Sequence, residues 1–204
     1  VTRRESVESS DAAAQLREVA ELFAAYRGSW WIAGGWAVDL HVGRVRRPHS
    51  DVDVQVLARE LGLFAEAFGD RGPVVTDRRT GDCRPWVYPQ TVEPGRETLT
   101  LSGGPPQLEV LVAEADGTDW VFHRGRRARR PLAGLTLTGI GGLPYISPEV
   151  VLLFKSRDER DKDEQDFQAL APLLTAEQRD WLAPRLAPPG TGPHRWLAEL
   201  TSFY

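Results

Sequence analysis

Two aspartates on alternate positions of an apolar strand, Asp51 and Asp53 in "DVDVQVL", are the residues of this chain most able to do chemistry. Aspartate is depleted in strands, and residues i and i+2 point to one face. Asp51, Asp53 and Gln55 therefore share a face, and Val52, Val54 and Val56 share the core face. Like charges that close raise each other's pKa, and a hard divalent cation removes the penalty. Mg²⁺ prefers oxygen ligands and takes one or two protein carboxylates together with substrate phosphates. A second feature lies upstream. Gly34-Gly35 joins a short apolar strand, "WWIA", to a short helix, "GWAVDLHV". Glycine lets backbone N–H groups approach a ligand, and a helix N-terminus favours an anion. Alone, Gly-Gly is a tight turn and Asp-x-Asp an exposed strand edge. Together, in this order and spacing, they read as a site for Mg²⁺ and a nucleoside triphosphate.

A third acid is needed to complete such a site, and Glu109 in "QLEVLV" is the candidate, as metal ligand or general base. Glu114 and Asp116 are weaker choices, since Asp116-Gly117 reads as a hairpin turn. Arg44, Arg46, Arg47 and His49 crowd the loop before the aspartate strand and could hold phosphate oxygens. Arg47 and His49 stand nearest to it. Lys155 and Lys162, the only lysines, would share a face at a helical spacing of seven and could reach a triphosphate; the bland alternative is a salt-bridged helix face. "RGRRARR", Arg124 to Arg130, reads as a basic loop or edge strand. Trp30, Trp31 and Trp36 flank the glycines and read as core.

Elements that would position these residues follow from pattern. An amphipathic helix runs from a cap at Ser10 or Asp11 to about Arg27, with Leu16, Val19, Ala20, Phe23 and Tyr26 at helical spacing. "ARELGLFAEAFG" is a further helix. Between Pro73 and Ile146 the pattern shifts to short strands, "PVVT", "PWVY", "ETLTL", "QLEVLVAEA", "DWVFH" and "LTLTGI", punctuated by Gly, Pro and Asp. From Ser147 it shifts to helices. The first opens on Ser147-Pro148, the second near Thr175, and "GPHRWLAELTSFY" forms the last. The expected fold is α/β (α+β), a mixed β-sheet flanked by helices, with residues 1–146 as the core and 147–204 as a C-terminal helical subdomain.

The sequence around these residues resembles a known family. "AGGWAVDLHVGRVRRPHSDVDVQV" is similar to the nucleotidyltransferase superfamily typified by DNA polymerase beta, and most to its small bacterial aminoglycoside and lincosamide adenylyltransferase branch. That superfamily has a Gly-Gly or Gly-Ser turn, an Asp-x-Asp strand and a third carboxylate on a later strand. The branch's "H-x-D-x-D" is matched by His49, Asp51 and Asp53. Its "P-E-x-x-L-L-x-K … K-D-x-x-D-F" segment is matched from Pro148 to Phe167, which includes Lys155 and Lys162. One departure is Glu109, where the branch usually carries an aspartate. The resemblance implies transfer of AMP from ATP to a hydroxyl of a small molecule, with Mg²⁺ held by Asp51, Asp53 and Glu109. Gly34, Gly35, Arg47, His49, Lys155 and Lys162 would bind the nucleotide. A cationic acceptor such as an aminoglycoside is implied in the same way. The alternatives are a nucleotidyltransferase acting on a protein or tRNA, as in a toxin–antitoxin pair, and a non-catalytic nucleotide or nucleic-acid binder.

Composition sets outer bounds. The 204 residues, 41% hydrophobic and 26% charged, suit a soluble globular chain. A formal net charge of −4 argues against a polyanionic partner. Cys83 is the lone cysteine, so no intrachain disulfide or cysteine metal cluster can form, which fits a reducing cytosol. No apolar run reaches the ~18 residues of a membrane span, and the first residues lack the apolar stretch of a signal peptide. Monomer and homodimer both fit.

Overall fold

The computed structural model describes residues 14–102, 108–122, 128–157, 160–188 and 192–203. Its centre is the pair of elements on either side of Gly34-Gly35. Strand β1 (Trp30–Ile32) leads through Ala33 into helix α2 (Gly34–Val42), which Gly43 closes in the left-handed conformation at φ 80°. Strand β2 (Val52–Leu57) returns antiparallel to β1, with Trp31 opposite Gln55. Val52, Val54 and Val56 are buried, as the alternation requires. Gln55 is buried too, and its amide oxygen accepts from the Trp31 indole at 2.9 Å, which satisfies both groups.

The first helix, α1, covers residues 14–23 as described, shorter at its C-terminal end than the expected Arg27. Val19, Phe23 and Tyr26 enter the core. The expected cap at Ser10 or Asp11 lies outside the described residues. Helix α3 (Leu61–Phe68) follows β2 and packs Phe64 and Phe68 against Tyr26.

Downstream come β3 (Val74–Asp77), β4 (Cys83–Pro85), β5 (Glu97–Thr100), β6 (Leu108–Asp116), β7 (Asp119–Phe122), β8 (Ala128–Pro131), β9 (Thr136–Thr138) and β10 (Pro144–Ile146). The described strands form one mixed sheet in the order β4-β3-β5-β6-β2-β1-β10-β9, with β7 on β6 and β8 on β7. Among the described residues only β2–β6 and β1–β10 pair in parallel. The expected strand "PWVY" lies instead at Cys83–Pro85. Trp86 turns inward to fill the core, and its indole donates to the Gln90 carbonyl at 2.8 Å.

Helices α4 (Pro148–Lys155), α5 (Asp161–Leu170), α6 (Ala176–Leu182) and α7 (Trp196–Thr201) complete the chain. Pro148 stands in the first turn of α4. Thr175 and Gln178 form a reciprocal capping box that starts α6. Helix α4 is buried from Pro148 to Leu153, and it packs against α2, α5 and α6. The helical segment is therefore joined to the sheet through the helix that starts at the glycine turn.

Candidate active site

The backbone brings the three acids together before any ligand is considered. Strands β2 and β6 are parallel neighbours, and their register sets Asp53 opposite Glu109. Asp51 precedes Asp53 by two residues on the same face. Val52, Leu108 and Val110 point the other way and are buried. The glycine turn then docks on the same strand, since the Ala33 N–H donates to the Asp53 carbonyl at 2.8 Å.

Both glycines are required by close approach. Gly34 has φ 61°, and a Cβ there would lie 2.1 Å from Asp53 Oδ2. A Cβ on Gly35 would lie 2.6 Å from the His49 ring and 2.7 Å from the Arg47 guanidinium. The Asp53 carboxyl lies against the first glycine, and the Arg47 and His49 side chains cover the second. Gly34→Ala combines a left-handed backbone with this clash. It is expected to push Asp53 aside, lower activity by about two orders of magnitude and cost about 1–3 kcal/mol. Unchanged turnover and thermal midpoint in Gly34→Ala would show that the turn does not set the aspartate.

One cleft is lined by Gly34, Gly35, Arg47, His49, Asp51, Asp53, Glu109, Lys155 and Lys162. The sheet, the glycine turn and the α4–α5 side thus place these nine residues on one concave surface, while Arg44 and Arg46 do not line it. Leu111, Trp120 and Phe154 add an apolar part, and Glu97 and Glu114 add further acids. Arg78, in the turn between β3 and β4, also lines it. Nothing in its sequence neighbourhood marks it, because it reaches the site only through the sheet order.

Burial at the cleft floor, then the charges of Asp51 and Glu109, push the Asp53 carboxyl up to about 6, against the opposing pull of Arg78 and Lys155. Among the described residues no three His, Cys, Asp or Glu side chains form a preformed metal cage. Mg²⁺ does not need one, as it is bound through one or two carboxylates completed by waters and substrate phosphates. Asp51 and Asp53 offer hard oxygen donors, and their mutual repulsion gives a cation something to relieve, so the residues fit the ion.

The basic side chains divide into two groups. Arg46, one of the loop residues that could have held phosphate, is used internally: its Nε bonds Asp39 at 2.8 Å, and its terminal nitrogens bond the Asp166 carboxylate and, at 3.3 Å, the Gln165 carbonyl. His49 Nε2 bonds the other Asp39 oxygen at 2.7 Å, and its ring lies 4.4 Å from that of Trp36. Lys155 is 7% exposed and bonds Asp163 at 3.1 Å and Asp166 at 2.6 Å. Among the described residues Arg47 keeps a 3.5 Å contact with Asp166 and a 3.4 Å one with the Pro48 carbonyl, and its buried Nε has no hydrogen bond to them. Lys162 is exposed at the start of α5 and has no ion pair among the described residues. The seven-residue spacing of the lysines does not give a shared face, because the helix breaks between Lys155 and Asp161. Asp163 and Asp166 are fully buried and belong to an internal ion network.

Of the arginine run, Arg124 to Arg127 lie outside the described residues. Arg129 pairs with Asp116 at 2.7 Å, and Arg130 with Glu149 at 2.9 Å and Glu177 at 3.0 Å. These two belong to strand β8 and its contacts with α4 and α6. Trp31 and Trp36 are core.

Comparison with known proteins bears on the segment around the glycines and aspartates and on the fold. The family aminoglycoside-2''-adenylyltransferase matches residues 15–94. A 2''-aminoglycoside nucleotidyltransferase of Escherichia coli is 43% identical over 44 residues, which are 20% of this chain and 25% of that protein. One of Klebsiella pneumoniae matches to the same extent. The chain spans about a quarter of the length of these curated relatives. A solution structure of the antibiotic-resistance factor ANT(2'')-Ia superposes with a TM-score of 0.57 at 17% identity, covering 86% of this chain and 91% of that one. The lincomycin-bound lincosamide adenylyltransferase LnuA superposes with a TM-score of 0.54 at 21% identity, covering 77% and 94%. The fold is therefore nucleotidyltransferase-like. The resemblance read from "AGGWAVDLHVGRVRRPHSDVDVQV" is borne out by both the family segment and the fold.

Proposed function

We propose that this chain transfers AMP from ATP to a hydroxyl of an aminoglycoside-type antibiotic, with release of pyrophosphate. One observation carries the reading: the Asp53–Glu109 register sets the third acid beside the Asp-x-Asp pair, against a glycine turn that opens a helix. The aminoglycoside class is favoured over lincosamides because the family segment, residues 15–94, spans the turn and both aspartates. Lincosamides are the second acceptor class, supported by the likeness to LnuA.

Asp51 and Asp53, with Glu109, would hold Mg²⁺, which when bound neutralises charge on the phosphate oxygens. The N–H groups at the start of α2 open onto the cleft and would favour the β and γ phosphates. Arg47 and Lys162 carry positive charge toward the same space, while the bonds of Lys155 and His49 hold the walls in place. Glu109 accepts the proton of the acceptor hydroxyl as its oxygen bonds to the α-phosphorus and the α–β phosphoanhydride bond breaks. Placement and charge neutralisation supply the acceleration. Helix α4 and the start of α5 supply the second wall of the cleft through Val151, Phe154, Lys155 and Lys162, and acids such as Glu97 and Glu114 on the lining suit a polycationic acceptor.

The test is pyrophosphate release from Mg-ATP across a panel of aminoglycosides and lincosamides, with Asp51→Asn as control. Release with one aminoglycoside, absent in the control, is expected. Release only with lincosamides would move the acceptor class. ATP-dependent labelling of a protein or tRNA, with silence across the panel, would overturn the small-molecule reading.

A further inference from the structure

The cleft's cations are not equally available. Lys155 reaches toward Asp53 from the helical side, but both Asp163 and Asp166 hold its ammonium. An incoming polyphosphate would have to compete with two buried carboxylates for it. Arg78 faces the same aspartate from the sheet side. It is exposed, and among the described residues its guanidinium has no carboxylate partner.

The backbone beneath Arg78 is fixed. Asp77 is buried, and its Oδ1 accepts from the N–H groups of Arg79 at 2.8 Å and Thr80 at 3.3 Å. Its Oδ2 accepts from Arg96 at 2.9 Å. The Arg78 N–H donates to the Arg96 carbonyl at 2.9 Å, and the Gly81 N–H to the Asp77 carbonyl at 2.8 Å. A side-chain cap, an ion pair and two backbone bonds hold one short turn. A mobile arginine on a surface loop needs none of these. A fixed base with a free guanidinium aimed at a cleft is the arrangement that binds a phosphate with little ordering cost.

We propose that Arg78 binds the triphosphate of the nucleotide from the sheet side of the cleft, as Lys162 does from the helical side. The inference rests on the nucleotidyl-transfer reading. It assigns a phosphate-binding role to a residue outside both sequence motifs, delivered by β3 and β4 at the edge of the sheet.

Isothermal titration of the full chain tests it, with three probes in the presence of Mg²⁺: ATP, inorganic tripolyphosphate and adenosine. Loss of one charge-assisted fork should weaken ATP and tripolyphosphate about tenfold to thirtyfold in Arg78→Ala. Adenosine, which has no phosphate, should bind as to the wild type. Arg78→Lys, which keeps the charge and loses the planar fork, should fall between the two. An unchanged thermal midpoint in both variants shows that the turn is intact. Arg78→Ala binding ATP and tripolyphosphate within about twofold of the wild type would overturn the inference while leaving nucleotidyl transfer standing. Equal weakening of adenosine would also overturn it, since the arginine would then be shaping the cleft. A wild-type chain that binds neither ATP nor tripolyphosphate would overturn the underlying reading, and the inference with it.

Discussion

Asp53→Asn is expected to abolish turnover and, in the metal-free protein, to raise stability. The two effects have one cause. The Asp53 carboxyl is pushed up to about 6 by burial, Asp51 and Glu109, so its ionised form is disfavoured in the folded state. A carboxylate whose folded pKa lies above its unfolded value weakens the fold as pH rises. The penalty is absent well below pH 4, grows between about pH 4 and 6, and is full above 6. A shift of about two units corresponds to about 3 kcal/mol at most. Cleft solvent reduces this, so about 1–2 kcal/mol is a fair expectation, or a thermal midpoint higher by about 2–8 °C. The neutral amide keeps the shape and removes the charge. Above pH 7 the midpoint of Asp53→Asn should exceed that of the wild type, and near pH 4 the two should converge. Activity should fall by at least about a thousandfold, because the amide cannot neutralise or hold what the carboxylate does. Added Mg²⁺ should raise the wild-type midpoint more than that of the variant. A variant less stable than wild type at pH 8 would mean that Asp53 is a structural ion-pair partner.

Asp166→Ala is expected to give the largest loss of stability. Its fully buried carboxylate meets Lys155 at 2.6 Å and Arg47 at 3.5 Å, and also pairs with Arg46. Burial pushes this carboxyl up, but Lys155 and then Arg46 outweigh it and hold it below the ordinary range. Asp163 behaves alike: burial raises it, and Arg160 and Lys155 bring it below. Removing one member of a buried pair leaves uncompensated charge and typically costs about 3–5 kcal/mol. The network also supports the site, since Arg46 bridges Asp166 to Asp39, and Asp39 holds His49 over Gly35. Because both aspartates titrate below their unfolded values, their contribution is full above about pH 4 and is lost as pH falls through the folded values. Urea unfolding across pH should show the wild type losing stability steeply in acid and the variant, already weakened, losing less. A variant within about 0.5 kcal/mol of wild type at pH 7 would show that these pairs behave as exposed surface ones.

The contrast between these two aspartates shows where the sequence was readable. Asp53 is legible because a strand's period of two sorts charge from valine within six residues, and the turn glycines precede it at short range. Glu109 is legible only as an acid in an apolar strand. Its partner lies across a parallel ladder from a strand more than fifty residues earlier, and no local pattern encodes that register. Lys155 and Asp166 look like a continuous charged helix face because no glycine or proline separates the end of α4 at Lys155 from the start of α5 at Asp161. Their burial arises from packing against α2, a tertiary fact. Arg78 is invisible for the same reason, since its relevance depends on the order β4-β3-β5-β6-β2. The edge-strand alternative for the arginine run holds for Arg129 and Arg130, which lie in β8 beside β7 alone, but their partners Asp116, Glu149 and Glu177 come to them only through tertiary packing.

The most direct measurement follows the α-phosphate. ATP labelled there, Mg²⁺ and an aminoglycoside are incubated with the wild-type chain and with Asp53→Asn, and the label is located by chromatography and mass. The reading developed from Gly34, Asp51, Asp53 and Glu109 predicts label on the aminoglycoside as one AMP group, with unlabelled pyrophosphate released and no product in the variant. Label that stays in ATP with every acceptor, although the wild type binds Mg-ATP, would contradict it.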